Sequence, residues 1–302
     1  MNIGLIGRGF VGNAIYENLK EKHKVSVYDT NHKLATVGSV SKLCQSCPVI
    51  FVALPTPMQE SGECDLSIVF GAMRDINEHY NDNVVILKST VVPGTCRKIS
   101  KRFPQLRIVF SPEFLTEKKS ILDFKDCNRV IFGGNKSDND VCHELFEDMF
   151  PDKSYLKTNW ETAEMVKYFL NTFLATKVSF ANEMYDICSA IGVQYDDVAN
   201  LALYDERVSK SHLMVPGPDG SRGFGGTCFP KDINALTSFC KQNNVDSTIL
   251  SSVWQKNLKV REDKDWLSKV GRAVSKKKEN KDALIESSSR SYNDGSARVI
   301  TK

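Results

Sequence analysis

MNIGLIGRGFVGNAIYENLKEKHKVSVYD, residues 1–29, places a strand, a glycine turn, a helix and a second strand in that order. Residues 2–6 read as a short apolar strand, and 24–28 as another that ends at Asp29. Between them Gly7-Arg8-Gly9-Phe10-Val11-Gly12 opens a helix expected to reach about residue 22. Gly7 permits a tight turn, Gly9 lets a pyrophosphate approach the backbone, and Gly12 lets the helix pack on the strand. Phe10 and Val11 start that helix, whose N–H groups and positive dipole end suit phosphates. Asp29 lies 20 residues beyond Gly9 and can accept hydrogen bonds from ribose hydroxyls. Gly7, Gly9, Phe10, Val11, Gly12 and Asp29 are therefore candidate contacts to a dinucleotide. Asp29 would repel a 2′-phosphate and no arginine follows it closely, so NAD is favoured over NADP.

The alternation continues outward. Strands are expected at 48–53, 84–87, 107–110 and 129–132, with helices at 66–79, 94–102 and up to about 149. Strands separated by helices imply a doubly wound parallel sheet with helices on both faces. Ligands of such sheets bind beyond the carboxyl ends of the strands. The loops Leu54-Pro55-Thr56-Pro57, Lys88-Ser89-Thr90 and the segment from Ser111 to Glu117 all fall at strand ends, so they should border one crevice. Pro55, Thr56 and Thr90 are candidate cofactor contacts there.

The second half reads as helical. Thr158-Asn159-Trp160-Glu161 fits a capping box, with Thr158 as N-cap and Glu161 three residues on. Apolar residues at helical spacing then run to about Ile191, and Gly192 can stop them, giving about 45–50 Å of helix. Lys167 and Asn171 share a face of it, and periodicity alone points both to solvent. Residues 205–231 look like a long loop, and helices return at 232–241 and 247–272. From 273 the chain has little apolar content and reads as disordered. The expected fold class is α/β: a Rossmann-type domain over 1–157, an α-helical domain on a long central helix over 158–272, and a tail over 273–302.

Composition narrows the function classes. The formal charge of the 302 residues is +3, and residues 276–302 carry seven Lys/Arg against four Asp/Glu, so the body is neutral. That gives no argument for a nucleic-acid face. No apolar run approaches the roughly 18–20 residues that cross a bilayer, and no signal peptide is visible at Met1. Nine scattered cysteines suggest reduced thiols in the cytoplasm. Cys44-Gln-Ser-Cys47 lacks a second pair, so no metal site is expected.

One cysteine stands apart. Cys228 sits in Gly223-Phe224-Gly225-Gly226-Thr227-Cys228-Phe229-Pro230-Lys231-Asp232. Glycines let a substrate approach closely. Lys231 and a helix read as starting at Asp232 would favour a thiolate. A thiol beside a nicotinamide can add to an aldehyde, and oxidation of that adduct gives a thioester that water cleaves. A small buried loop residue is the plain alternative.

This decapeptide resembles the active-site loop of the UDP-glucose/GDP-mannose dehydrogenase family. GRGFVG at 7–12, VALPTP at 52–57, KSTVVPGT at 88–95, SPEFLTEKKSILDF at 111–124 and AEMVKYFLNTFLATKVSFANE at 163–183 agree in order, and the likeness covers about residues 1–270. The resemblance implies oxidation of the C6 hydroxyl of a nucleotide sugar to a carboxylate, with two NAD and no metal. It implies that Cys228 is the nucleophile and that Lys167 and Asn171 stabilise the reacting oxygen. Asp232 and Thr90 would position water or move a proton, and Glu117 would serve thioester hydrolysis. Glu113, Phe114, Leu115, Phe224, Gly225, Gly226 and Arg207 would meet the sugar nucleotide, and Lys231 the cofactor phosphates. Pairing through the long helix is implied too, giving a homodimer.

Members of that family carry a third domain that helps bind the nucleotide, and the residues after 261 do not read as one. The expectation is that the loop at 212–220 takes over part of that binding, that a partner chain supplies it, or that the protein binds NAD and turns over weakly. UDP-glucose is the default substrate, with GDP-mannose and UDP-N-acetyl sugars open. The competing readings are a two-electron β-hydroxyacid dehydrogenase, which shares the plan and a Lys/Asn pair but needs no Cys228, and a non-catalytic binding module.

Overall fold

The computed structural model describes residues 1–116 and 119–276. Among the described residues there are seven strands: β1 (Asn2–Ile6), β2 (Lys24–Tyr28), β3 (Val49–Val52), β4 (Val84–Leu87), β5 (Arg107–Phe110), β6 (Arg129–Gly133) and β7 (Ser154–Thr158). They form one sheet in the order β2-β1-β3-β4-β5-β6-β7. The helices around the sheet are α1 (Phe10–Leu19), α2 (Val40–Ser46), α3 (Ser67–Glu78), α4 (Thr95–Arg102), α5 (Ser120–Asp126) and α6 (Lys136–Met149). The periodicity missed α2, α5 and β7; the two helices are a mere seven residues each and β7 is largely exposed.

β3 and β4 are buried on both faces, as central parallel strands require. Ile50, Val52, Val85 and Leu87 pack against Leu43, Met73, Ile76 and Ile99 of α2–α4. Leu5, Phe51, Ile86 and Val109 face Ile15, Leu19 and Phe146 of α1 and α6. Alternate residues of each strand thus feed two separate layers.

The fully parallel sheet needs a correction. β1–β5 are parallel, but β6 meets β5 antiparallel at Phe110↔Gly133, and β7 follows β6. A parallel β6 would require a crossover back to the far end of the sheet. Instead β6 starts beyond the carboxyl end of β5, after α5 has docked on α1, where Ile121 O accepts from Asn18 Nδ2 at 3.1 Å.

The helical part contains α7 (Trp160–Ala190), α8 (Tyr195–Ala202), α9 (Cys228–Gln242) and α10 (Thr248–Val260). The N-cap of α7 is Asn159, whose Oδ1 accepts from Thr162 N at 2.8 Å, and not Thr158. Thr158 is the last residue of β7, and its carbonyl holds Gly134 N at 3.0 Å. The helix after the cysteine loop starts at Cys228, four residues before Asp232. α10 stops at Val260 rather than continuing to 272; Arg261 is extended, and a short 3-10 turn follows at Asp265–Ser268. The chain then returns to the first half, where Met58 N donates to Ala273 O and Ser275 N to Met58 O, both at 2.8 Å. Residues 273–275, read as tail, therefore rest on the loop after β3. Residues 277–302, where disorder is expected, lie outside the described residues.

Candidate active site

The glycine turn has the shape its spacing requires. Gly7 has φ +87°, and a Cβ there would lie 2.5 Å from Ala53 O. A Cβ on Gly12 would lie 1.9 Å from Gly7 O. A Cβ on Gly9 would meet nothing within 4 Å, which leaves open space above the turn. No side chain caps α1 at Gly9, so the first turn, with Phe10 and Val11, presents its backbone N–H groups to that space. Asp29 accepts from Arg8 N at 2.6 Å and Asn31 N at 2.8 Å, which fixes its carboxylate at the end of β2. This cradle and acid fit the pyrophosphate and ribose of NAD. Thr56 donates to Thr90 O at 2.7 Å and ties two strand-end loops together, with Pro55 exposed beside them.

Beyond the strand ends lies a cavity of about 340 Å³. Cys228, Lys167, Asn171, Phe114, Leu115 and Arg129 contribute to its lining, with Gly225 and Gly226. Lys167 and Asn171 do not face solvent; they are 3% and 8% exposed. The apolar stripe on which the solvent reading rested is itself partly the exposed face of α7. Lys167 Nζ donates to Glu113 Oε1 at 2.9 Å and Glu113 O at 2.7 Å. Asn171 Nδ2 donates to Asp232 Oδ2 at 2.5 Å, and Lys231 pairs with the other oxygen of Asp232. Two buried carboxylates are thus each held by donors, as buried charges must be.

These charges set the ionisation of the site. Burial opposes the Lys167 charge, but Glu113, with Asp232 and Cys228 beyond, outweighs it and raises the lysine above its ordinary range. Burial likewise opposes the charge on Lys231, and Asp232 reverses the effect and raises it. Burial pushes the Cys228 thiol up, Lys167 pulls it down, and Glu113 and Asp232 push it up again, leaving it raised. The expected pull of Lys231 toward a thiolate is present, but Lys231 pairs with Asp232 and burial outweighs its effect on the sulfur.

The loop before Cys228 is held by residues that spacing did not single out. Asn257 Oδ1 accepts from Phe224 N at 2.7 Å, and its Nδ2 donates to Phe224 O at 3.0 Å. Asp265 accepts from Gly226 N at 3.1 Å, and Arg261 pairs with Asp219 at 2.7 Å. Gly225 has no room for a side chain, since a Cβ would lie 2.2 Å from Asp265 Oδ1. Lys88, expected only as part of a strand-end loop, is buried and donates to Ser111 Oγ at 3.2 Å and Pro112 O at 3.1 Å beneath the segment that carries Glu113. Burial lowers its pKa to about 8.

Not every candidate converges. Phe224 is buried and borders a neighbouring cavity of about 620 Å³, shared with Gly225 and Gly226. Arg207 is exposed and pairs with Asp205 at 2.5 Å, away from both cavities. Thr90 and Lys231 do not line the 340 Å³ cavity. Glu117 lies outside the described residues.

The sequence matches two domain models of one family. Residues 14–150 match the NAD binding domain and residues 161–259 the central domain of the UDP-glucose/GDP-mannose dehydrogenase family. The chain belongs to the UDP-glucose/GDP-mannose dehydrogenase family. NAD is the cofactor of its N-terminal domain. The UDP-glucose 6-dehydrogenase of Rickettsia felis is 34% identical over 251 residues, covering 80% of this chain and 54% of that protein. The chain spans about half the length of the curated relatives it matches. The structure of a UDP-glucose dehydrogenase from Pyrobaculum islandicum superposes with a TM-score of 0.74 at 25% identity, over 85% of this chain and 68% of that one. A 3-hydroxyisobutyrate dehydrogenase from Mycobacterium tuberculosis gives a TM-score of 0.69 at 16% identity, over 85% of this chain and 92% of that one, a likeness of fold alone. Among the described residues no helix is long and apolar enough to cross a membrane.

Proposed function

We propose that this protein oxidises the C6 hydroxyl of a nucleotide sugar, UDP-glucose first among the candidates, to a carboxylate. The single observation that carries this reading is the convergence of Cys228, Lys167 and Asn171 on one cavity at the strand ends. Bound NAD supplies the hydride acceptor, one molecule for each of two oxidations. The chain's own residues hold the carbon and manage its oxygen and protons. Lys167 and Asn171 hold the C6 oxygen as it loses its proton and, later, as it carries negative charge. Cys228 Sγ adds to the C6 aldehyde and gives up its proton; the adduct is a thiohemiacetal. After the second oxidation the sulfur is joined to C6 as a thioester. Water then cleaves the C–S bond, giving the acid and restoring the thiol. Asp232, fixed by Asn171 and Lys231, is our candidate to position that water, with Thr90 and Glu117 as further candidates. With its pKa raised, the thiol must give up its proton during attack, and the carboxylates of Glu113 and Asp232, whose charges already act on it, are our candidates to receive it.

Residues 1–157 would act as the cofactor domain and 158–272 as the domain that carries the cysteine. The 620 Å³ cavity adjoins the catalytic one at Gly225, Gly226 and Phe229 and is walled by Asp196, His212 and Met214. That supports a share for loop 212–220 in holding the nucleotide. All nine cysteines are free, which supports a reducing compartment such as the cytoplasm. A homodimer paired through α7 completes the reading.

The test is stoichiometry. Protein, NAD and UDP-glucose should yield two NADH per sugar, with the acid identified by mass. Cys228→Ser should cut acid formation by roughly a thousandfold or more. Full acid formation by that variant would favour a two-electron dehydrogenase. No NADH with any nucleotide sugar would favour a non-catalytic binding module.

A further inference from the structure

Arg129 was not singled out by any motif, yet it lines the 340 Å³ cavity with Cys228, Lys167 and Asn171. The reversal of β6 puts it there. Gly133, the last residue of β6, sits opposite Phe110, the last residue of β5, and the two strands are antiparallel. Moving back along β6 from Gly133 to Arg129 therefore moves forward past the carboxyl end of β5, by about 13 Å at 3.3 Å per residue. Arg129 thus stands in the crevice, where ligands of such sheets bind.

Its surroundings suit an anion. The guanidinium lies 4.8 Å from the centre of the Phe114 ring, and Lys167 Nζ lies 5.8 Å from the same ring. Among the described residues its polar partner is Asn128 Oδ1 at 3.4 Å, and no carboxylate pairs with it. Lys167, by contrast, is neutralised by Glu113. Among the described residues no acidic side chain is part of the cavity lining, whose remaining walls are largely apolar, including Leu115, Leu170 and Phe229. A guanidinium in such a setting, with a planar fork of donors, matches phosphate or carboxylate oxygens.

We propose that Arg129 binds an oxyanion of the nucleotide sugar in the catalytic cavity. This rests on the nucleotide-sugar reading above. Two groups share the chemistry: the diphosphate, present throughout, and the C6 carboxylate of the product.

The experiment is calorimetric titration of the full chain with UDP, UDP-glucose and UDP-glucuronate, and with GDP and GDP-mannose in parallel. Wild type is compared with Arg129→Lys and Arg129→Gln, and folding is checked by thermal melting; Arg129→Lys preserves the charge over Phe114 should Arg129→Gln melt early. Arg129→Gln should weaken the bound nucleotides roughly ten- to hundredfold, since bonds to charged groups are lost. Arg129→Lys should retain part of the affinity, and NAD binding should not change. Equal losses for nucleotide, sugar nucleotide and acid assign the diphosphate; a loss for the acid alone assigns the carboxylate. Unchanged affinities in both variants, a loss confined to NAD, or no nucleotide bound by wild type would each overturn the proposal. NADH yield by wild type reads the proposed function separately: two NADH per sugar with unaltered Arg129→Gln affinity rejects Arg129 alone.

Discussion

Cys228 is held between opposing effects. Burial raises its pKa, Glu113 and Asp232 add to that, and the one strong counterweight is the Lys167 ammonium. The sulfur should therefore react slowly until a substrate fills the cavity, because the thiolate is the nucleophile. Removing Lys167 removes the larger of the two cations that lower the cysteine, the other being Lys231, so the thiolate fraction at a given pH must fall. Iodoacetamide labelling followed peptide by peptide should show Cys228 slower than a free thiol at pH 8, rising with pH, and several-fold slower still in Lys167→Met. Faster labelling in that variant would contradict the charge assignment. The cysteine itself was half legible: glycines around a thiol followed by Pro-Lys-Asp left a small buried loop residue as an equal alternative, and the motif resemblance favoured the nucleophile. Lys167 and Asn171 were not legible from spacing: α7 is apolar on two faces, one packed on α9 and α10 and one exposed, so periodicity could not say which polar residues turn inward. Only the motif resemblance pointed there.

Elements whose ends are decided by long-range contacts were the least legible. The antiparallel β6 depends on the chain remaining at the strand ends after β5, which no local pattern announces; read as parallel, β6 would carry Arg129 to the opposite end of the sheet. Thr158 and Asn159 are both good N-caps by residue type, and pairing of β7 with β6 takes Thr158 for the sheet. One contact between elements carries a pH signature. Glu164, in the first turns of α7, is fully buried and accepts from Gly94 N at 2.6 Å and Cys96 N at 2.8 Å at the start of α4. Burial raises its pKa from 4.5 to about 7, against the pull of those amides. Between these values the folded chain keeps a proton that the unfolded chain releases, so this group's contribution is full below the unfolded pKa and is lost as pH rises through 7. The unfolding free energy of wild type minus that of Glu164→Gln should fall by up to about 3 kcal/mol between pH 4 and pH 8. Denaturant titrations across that range would show it, and a flat difference would mean that the two amide bonds hold the carboxylate charged throughout.

The whole chain joins a sheet, legible because its strands alternate into two apolar layers, to a helical half that closes back on the sheet through residues 273–275 and Met58. That return was not legible, since a short turn around Trp266 and single bridges replace any periodic element. What remains open on the molecule is α7. Met165, Phe169, Phe173, Phe180, Ile187 and Ile191 are all exposed, Phe169 at 63% and Phe180 at 59%. Their spacings of 4, 4, 7, 7 and 4 residues confine them to an arc of about 80° at 100° per residue. The stripe runs about 39 Å along the helix, and a contiguous apolar surface of that length marks an interface. A second copy of the same stripe is the partner that a two-fold axis across α7 would supply, because a self-complementary patch needs no other chain. Phe173→Asp with Phe180→Asp puts two carboxylates on each side of that axis, where desolvation and like charge both oppose pairing. Wild type should sediment near twice 33.9 kDa, and the double variant near 33.9 kDa with an unchanged far-ultraviolet spectrum. A wild type that sediments as a monomer at micromolar concentration, or a double variant that still pairs, would assign the stripe to another partner and leave the fold argument intact.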